Sequence, residues 1–359
     1  MPHLGGGGAE RVMAQLARSL PRDCFEVHLG LITEKGCLSE ALPPGVCVHG
    51  IGARRVLFGA PGIVRMVRKL RPDLVLSGMF HLNFLVLLLR PFFPARTRIL
   101  VRQNGMPLGF EGQRFSAVLK RLYQTTYPHA DGIICQTDAM AKEMTGLVGS
   151  RAGIRVLRNP VDVQGIRRAV QRNSQRWIGG GPRLLSVGRL SPEKGFDILL
   201  EAFAEVRTQF PSAQLVILGQ GVEENALRSK CQLLKLIGCV RFMGYVADPE
   251  SWFGEASLLV IPSRLEAFPN ILLEGAAAGL PIVTTPCSAG VSDLLSGQPS
   301  AWVASEVSGP SLAKSIKTAL CTIRPDDRFP HLWLAPFDLP DSVSAYECLI
   351  RETLAGVAR

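Results

Sequence analysis

Short apolar runs rich in β-branched residues alternate along this chain with stretches whose apolar residues recur at helical spacing. Ten runs predict strands: residues 25–32, 73–78, 98–103, 132–136, 154–159, 183–189, 214–219, 239–244, 257–262 and 281–285. Helix-length segments such as residues 196–210 lie between several of these runs. This alternation predicts an α/β fold in which helices cover both faces of parallel sheets and ligands bind at the carboxyl ends of the strands.

Length and composition narrow the class of protein further. A chain of 359 residues exceeds one typical hydrophobic core and favours two domains. Hydrophobic residues make up 47% of the chain and charged residues 19%, which excludes disordered, collagen-like and coiled-coil proteins. The nine cysteines are scattered without a CxxC pair, so we expect reduced thiols. No apolar run reaches the length of a membrane span, and we expect a cytoplasmic protein.

Positive charge is concentrated in the first half of the chain. Residues 1–180 carry 25 Lys and Arg against 11 Asp and Glu, whereas residues 181–359 carry 15 against 19. A half this basic is expected to attract a polyanion. Basic amphipathic helices are predicted at residues 61–71 and 111–123; each either lies on an anionic membrane surface or is an ordinary surface helix. Nucleic acid is not an expected partner, because no aromatic residues interleave with a basic motif.

The segment at residues 263–276 places two carboxylates around a predicted helix start. Pro269 suits the entry to a helix that begins at Asn270, so Glu266 lies in the preceding loop and Glu274 inside the helix. The free N–H groups of such a helix start attract phosphate. A carboxylate suits a vicinal diol, because each oxygen accepts a hydrogen bond from one hydroxyl. Two such carboxylates beside a phosphate site predict a sugar-nucleotide site.

Two cations lie at and just beyond the end of the strand at residues 183–189. Arg189 and Lys194 lie in the turn before the next predicted helix. Cations at a strand end can neutralise a departing diphosphate in place of a metal ion. The sequence has no DxD, HxH or HxxxH motif, so we expect neither a metal site nor a cofactor. Taken alone, the two residues also fit an ordinary solvated loop.

These motifs together resemble the retaining glycosyltransferases of family 4, which have the GT-B fold. The hallmark of that family, Glu, seven residues, then Glu, is met by Glu266 and Glu274 within SRLEAFPNILLEGAAAGLPIVTT. Further similar segments are VGRLSPEKGFDILLEAF, LGQGVEENAL, RFMGYV, RNPVD and the N-terminal GGGGAERV. The resemblance covers nearly the whole chain.

The resemblance implies two Rossmann-like domains that face each other across a cleft. Residues 1–160 are the expected acceptor-binding domain and residues 161–336 the expected domain for the sugar nucleotide. A C-terminal helix, residues 337–359, is expected to cross back onto the N-terminal domain.

Roles for individual residues follow from the same resemblance. It implies that Glu266 contacts the donor sugar, that Glu274 contacts the ribose, and that Arg189 and Lys194 bind the diphosphate. The other expected donor contacts are Phe268, Pro269, Asn270, Gly188, Gly7 and Gly8. The glycines at positions 5–8 can bring backbone N–H groups against a phosphate, or they form a loose glycine-rich terminus.

The sequence departs from the family pattern at three places. Ala267 replaces the glycine usual after the first glutamate and is expected to restrict the sugar pocket. Only residues 1–4 precede the glycine-rich loop, so we expect either a missing first strand or a recorded start inside a longer reading frame. Where many members carry a His facing the donor sugar, this chain offers Gln103 or Asn104. His81 is a further candidate for contact with acceptor or donor, or else a structural residue.

The sequence therefore predicts a retaining, metal-independent glycosyltransferase of the hexosyltransferase class. It would move a sugar from a UDP-sugar or GDP-sugar to a glycan or lipid-linked saccharide in polysaccharide or glycoconjugate biosynthesis. An anionic membrane surface is a further expected partner, reached through the basic N-terminal half on the cytoplasmic face. Two alternatives stay open: a GT-B-fold sugar-nucleotide epimerase, and a non-catalytic nucleotide or glycan binder.

Overall fold

Two compact units make up the chain. The computed structural model describes residues 1–5, 7–33, 43, 45–105, 116–149, 153–171, 177 and 180–356. The first unit is Met1–Pro160 with Leu339–Arg359, and the second is Val161–Asp338. Parallel strands alternate with helices in both units, which confirms the predicted α/β class.

The described residues form these regular elements. The strands are β1 Val27–Leu31, β2 Val46–Gly50, β3 Leu74–Ser77, β4 Arg98–Arg102, β5 Gly132–Cys135, β6 Ile154–Val156, β7 Arg183–Val187, β8 Gln214–Leu218, β9 Val240–Phe242, β10 Leu258–Ile261, β11 Ile282–Thr284 and β12 Ala301–Val303. The helices are α1 Gly8–Ser19, α2 Ala60–Leu70, α3 Phe80–Leu88, α4 Ser116–Thr126, α5 Asp138–Val148, α6 Val163–Val170, α7 Phe196–Gln209, α8 Glu224–Leu233, α9 Glu250–Phe253, α10 Asn270–Ala277, α11 Ala289–Leu295, α12 Gly309–Thr322 and α13 Leu339–Leu354. All ten predicted strands are confirmed, and β2 and β12 are additional.

The described strands of the first unit form two parallel sheets, β1-β2 and β3-β4-β5-β6. The N-terminal residues run beside β1, where the N–H groups of Ile32 and Thr33 donate to the carbonyls of Met1 and Pro2 at 3.0 and 2.9 Å. Leu4 is fully buried. The residues before the glycine-rich loop are thus an extended segment packed against β1, and they form no strand of the larger described sheet.

Helix α13 packs into the core of the first unit. Its residues Val343, Tyr346, Leu349 and Ile350 join a buried cluster with apolar residues of α1, β4 and β5. The helix begins at Leu339, because the preceding residues form a short 3₁₀ helix that belongs to the second unit.

The predicted helix at residues 111–123 falls partly outside the described residues; its described part lies in α4.

The second unit contains one parallel sheet with the strand order β12-β11-β10-β7-β8-β9. Strands β7, β8 and β9 follow one another outward on one side, and β10, β11 and β12 do so on the other. The order therefore reverses between the paired strands β7 and β10. In open parallel sheets such a reversal creates a crevice at the carboxyl ends of the two central strands, which is where ligands bind.

Candidate functional site

The loop after β7 is held against the loop after β10. The loop after β7 starts at Gly188, and the Gly188 N–H donates to the Leu218 carbonyl at 2.9 Å. A short 3₁₀ turn ending at Lys194 follows, and Gly195 then adopts a left-handed conformation with φ of 65°. A Cβ at Gly195 would lie 2.1 Å from the Pro262 carbonyl oxygen. Only glycine fits this close approach, which sets Lys194 beside the loop after β10.

An ion pair joins the two loops at the strand-order reversal. The ammonium of Lys194 donates to Oε1 of Glu266, and Oγ of Ser263 donates to the same oxygen at 2.9 Å. The side chains of Lys194 and Glu266 are 27% and 13% exposed. From the family resemblance these two residues are expected on different parts of the donor, and the structure brings them into direct contact.

A buried thiol lies behind the Glu266 loop. The N–H of Glu266 donates to the carbonyl of Cys287 at 3.1 Å. Burial, and then the negative charge of Glu266, raise the pKa of Cys287 to about 11. The thiol therefore stays protonated at neutral pH, and Cys287 is not a thiolate nucleophile.

Arg189 lies exposed on the same loop as Lys194. Their positive charges act on Glu193. Burial alone would raise the pKa of Glu193, but the hydrogen bond from Ser191, the backbone N–H of Glu193 and the charges of Lys194 and Arg189 together hold that pKa below its ordinary value. Glu193 thus carries a negative charge at neutral pH, beside the two cations of the loop after β7.

A second contact, which the sequence did not predict, joins the loop after β10 to the loop after β7 and the start of α7. Both Nη atoms of Arg264 donate to the Asp197 carboxylate, at 2.7 and 2.6 Å, and Nη1 also donates to the Pro192 carbonyl at 2.8 Å. The Arg264 N–H donates to the Glu193 carbonyl at 2.8 Å. A bidentate pair fixes orientation as well as distance. The available sequence signal was a lone arginine two residues before Glu266 and an aspartate in the first turn of α7.

Helix α10 begins directly after this loop. Pro269 precedes its first residue, Asn270, and no side chain caps the helix start. Glu274 lies one turn further along the same face and is half-buried. The Phe268 ring stacks on Phe337 with centroids 5.4 Å apart, which anchors the chain at the helix entry. The helix start and Glu274 thus lie within about one turn of the same helix.

The predicted phosphate loop in the first unit has an acidic neighbour. Gly7 precedes α1, which starts at Gly8. A Cβ at Gly7 would lie 2.4 Å from Oε2 of Glu10, a residue that is 4% exposed. The carboxylate of Glu10 thus lies against the start of α1, where a bound phosphate would meet its negative charge. The available sequence signal was a glutamate two residues after the last of the four glycines.

His81 is an exposed residue in the first turn of α3. Partial burial, and then the charge of His3, lower the pKa of His81. His81 is therefore a neutral imidazole at pH 7, and in this form it can both donate and accept hydrogen bonds.

Gln103 follows β4 and lies inside the first unit, 1% exposed. Its Nε2 donates to the Tyr123 hydroxyl at 2.8 Å, and its Oε1 accepts from the Tyr127 hydroxyl at 2.9 Å. The two atoms of the amide group are thus both engaged by the aromatic core.

Asn104 is half-buried and belongs to a network around a buried arginine. Arg102 has no measurable exposure, and its guanidinium donates to Oδ1 of Asn104, Oδ1 of Asn159 and, at 3.0 Å, the Tyr346 hydroxyl. Among the described residues no carboxylate pairs with Arg102. Neutral oxygens therefore offset the buried charge of Arg102. The hydrogen bond from Arg102 also holds the Asn104 side chain in one orientation.

The structure therefore brings Lys194, Glu266 and the start of α10 together, with Arg189 and Glu274 on the same loops and helix. Within the described parts of the chain, no group of three or more His, Cys, Asp or Glu side chains is arranged to hold a metal ion. Across those same residues, none of the helices has the length and apolar character that crossing a membrane requires.

Two families match the two units. Residues 6–164 match Glycosyltransferase Family 4, and residues 181–321 match Glycosyl transferases group 1. The lipopolysaccharide core biosynthesis glycosyltransferase LpsE of Rhizobium meliloti is 32% identical over 288 residues, which cover 79% of this chain and 77% of that protein. The chain belongs to glycosyltransferase family 4.

Other relatives and solved structures agree with this family. The N-acetylgalactosamine-N,N'-diacetylbacillosaminyl-diphospho-undecaprenol 4-alpha-N-acetylgalactosaminyltransferase of Campylobacter jejuni is 27% identical over 81% of this chain and 80% of its own length. The chain spans 60% of an uncharacterized glycosyltransferase, MJ1059 of Methanocaldococcus jannaschii, at 25% identity. Anabaena Alr3699/HepE, solved with UDP-glucose, has a TM-score of 0.81 at 18% identity, with 97% of this chain and 98% of that chain covered. This likeness confirms the GT-B class of the two Rossmann-like units.

Proposed function

We propose that this member of family 4 is a retaining glycosyltransferase that uses a UDP-sugar or GDP-sugar donor and needs no metal ion. The observation that carries the proposal is the Lys194–Glu266 pair, which joins the loops after β7 and β10 at the strand-order reversal. Ligands of open parallel sheets bind at this position. A cation and a carboxylate held there offer one group to a diphosphate and one to sugar hydroxyls.

The proposed roles follow from this geometry. Lys194 and Arg189 bind the diphosphate and stabilise the charge that develops as the sugar leaves. Glu266 contacts the donor sugar, and Glu274 contacts the ribose from within α10. In a retaining reaction through an oxocarbenium-like state, the leaving phosphate can accept the acceptor proton, so this scheme assigns no separate side-chain base.

Acceptor binding is assigned to the first unit, residues 1–160, with the terminal helix as part of that unit. Among the candidates there, Asn104 and His81 are half-buried or exposed, whereas Gln103 lies in the interior. We therefore assign acceptor or sugar contact to Asn104 and His81. Because the Campylobacter relative acts on an undecaprenol-linked saccharide, we infer a lipid-linked saccharide as acceptor here, presented at the cytoplasmic face of a membrane.

A panel of sugar nucleotides tests the proposal. The full chain is incubated with UDP-sugars and GDP-sugars, with and without a polyprenyl-diphosphate saccharide, and release of nucleoside diphosphate is measured with and without a chelator. The proposal requires release that depends on acceptor, a product of retained anomeric configuration and no loss with chelator. Interconversion of sugars without transfer would indicate an epimerase, and binding without turnover would indicate a non-catalytic relative.

A further inference from the structure

An open groove of about 540 Å³ lies in the first unit between helix α2 and the end of helix α3. One face of α2 forms one wall through Pro61, Val64, Arg65 and Arg68, which recur at helical spacing. Leu89 and Phe92 line the opposite wall. The Nε of Arg68 donates to the Phe92 carbonyl at 2.8 Å and ties the two walls together.

Bulky apolar side chains stand exposed around this groove. Leu57 and Phe58, in the 3₁₀ turn that leads into α2, are 77% and 71% exposed. On the other side, Leu88 and Phe92 are 57% and 53% exposed. The 3₁₀ turn contacts both α2 and α3, so the four side chains belong to elements that border the groove. Four exposed bulky apolar side chains on neighbouring elements are uncommon on the surface of a protein with no partner there, because water contact is unfavourable for each.

The charge around these side chains is of one sign. Residues 54–98 contain nine Lys and Arg and a single acidic residue, Asp73. That carboxylate lies 3.9 Å from Arg96 and is paired there. Arg54, Arg55 and Arg65 are exposed, and none of them has a carboxylate partner among the described residues.

We propose that this surface docks on an anionic lipid bilayer. Its apolar part (Leu57, Phe58, Leu88 and Phe92) enters the boundary between headgroups and acyl chains. Its basic part (Arg54, Arg55 and Arg65) contacts the lipid phosphates. We name it the apolar–basic patch. An anionic bilayer presents apolar chains beneath a sheet of negative charge, so it complements both parts at once.

The inference rests on the proposed function in one respect: the acceptor is taken to be lipid-linked and so lies at the same membrane. Docking through the patch would bring the first unit, which we assign to the acceptor, to the surface that presents that acceptor. Vesicle binding itself needs no donor and no turnover, so the two proposals can fail separately.

The test is cosedimentation of the full-length chain with phosphatidylcholine vesicles that contain about one-third phosphatidylglycerol, and with vesicles of phosphatidylcholine alone. Two triple variants are compared with the parent chain: Leu57→Ser with Phe58→Ser and Phe92→Ser, and Arg54→Gln with Arg55→Gln and Arg65→Gln. Each Arg near an anionic surface strengthens binding about fivefold, so the charge variant should bind roughly 100-fold more weakly. The apolar variant should bind roughly 1000-fold more weakly, because each of its three buried apolar side chains strengthens binding about tenfold.

Matched controls lie on the second unit. Val222, Leu233 and Leu332 are 87%, 83% and 83% exposed, and their triple Ser variant should bind as the parent does. The same is expected of a triple Gln variant at the exposed residues Lys235, Lys314 and Arg324. All the substituted side chains are exposed, so a thermal melt should show that every variant is folded.

Three results would overturn the inference: full binding by both patch variants, equal loss in patch and control variants, or equal binding of the parent to neutral and anionic vesicles. Nucleoside-diphosphate release with a short water-soluble acceptor is measured in parallel. Patch variants that lose vesicles but keep this release support docking apart from catalysis. Vesicle binding by a chain that never transfers sugar would contradict the proposed function and leave the patch standing.

Discussion

At the residue scale, the ion pair between Lys194 and Glu266 joins the loop after β7, which we assign to the donor diphosphate, to the loop after β10, which we assign to the donor sugar. If Lys194 stabilises the departing diphosphate, its charge matters more in the transition state than in the bound donor. Replacing it with Ala should lower kcat by about 100-fold and change the donor KM by less than about tenfold. The control is Lys230→Ala, which breaks an exposed pair with Glu201 in the same unit and should leave both constants unchanged. A KM effect larger than the kcat effect would contradict the assigned role.

The hydroxyl of Ser263 donates to the same Glu266 oxygen as Lys194 does, at 2.9 Å. Ser263 is 2% exposed, and Thr285 donates to its carbonyl, so the residue is fixed in place. Ser263→Ala should leave Glu266 held by Lys194 alone, and we expect kcat/KM to fall about fivefold to tenfold. Steady-state kinetics on the preferred donor measure this. An unchanged kcat/KM would show that Ser263 does not position Glu266.

At the scale of elements, Gly195 determines how the loop after β7 meets the loop after β10. Ala at this position combines left-handed strain with a Cβ that would lie 2.1 Å from a backbone oxygen. We expect Gly195→Ala to lower the free energy of unfolding by more than about 2 kcal/mol and to reduce activity as Lys194 shifts. Gly238 has φ of 87°, and a Cβ added there would meet no atom within 4 Å, so Gly238→Ala isolates the strain and should cost about 1 kcal/mol. Urea unfolding compares the two, and equal losses would contradict the packing argument.

A buried histidine makes the stability of the second unit depend on pH. Burial lowers the pKa of His331, whose Nε2 donates to the Leu280 carbonyl at 2.8 Å. The folded unit therefore binds fewer protons than the unfolded chain below about pH 6.5, so its stability rises with pH through that range. We expect a loss of up to about 1.4 kcal/mol per pH unit as pH falls below the unfolded value. His331→Gln should flatten this dependence in urea unfolding at pH values of about 5.5 and 7.5, on either side of the unfolded pKa. An equal slope in that variant would mean that other groups cause it.

Local patterns in the sequence predicted most strands and helices, but they could not predict side-chain contacts between residues far apart in the chain. The ten predicted strands were visible because buried parallel strands are short continuous apolar runs. Strand β2 was missed because its residues are half-buried or exposed, and β12 because all three of its residues are only half-buried. The residue types of the candidate site and the start of α10 were predictable. The Lys194–Glu266 and Arg264–Asp197 contacts join residues about 70 positions apart, so only the fold reveals them.

At the scale of the whole molecule, helix α13 completes the core of the first unit. Tyr346 is 1% exposed, and its hydroxyl accepts a hydrogen bond from the buried Arg102. Removing residues 339–359 would expose the apolar cluster shared with α1, β4 and β5 and leave that guanidinium short of a partner. We expect the first unit to lose more than about 5 kcal/mol, since several buried side chains contribute about 1.5–3 kcal/mol each. Calorimetry should show the transition of the second unit unchanged. Loss of both transitions would contradict independent cores.

The central claim is that the loops and helix at the strand-order reversal of the second unit bind a sugar nucleotide, with Glu274 on the ribose. The most direct test is titration calorimetry of UDP and GDP with the parent chain, Glu274→Ala and Glu205→Ala. Glu205 is an exposed carboxylate of the same unit that pairs with Lys317, so its variant controls for lost charge. The account predicts that one nucleotide binds the parent and the Glu205 variant equally. The Glu274 variant should bind it at least about 100-fold more weakly, because two charge-assisted hydrogen bonds are lost. Equal affinity in all three proteins would contradict the claim.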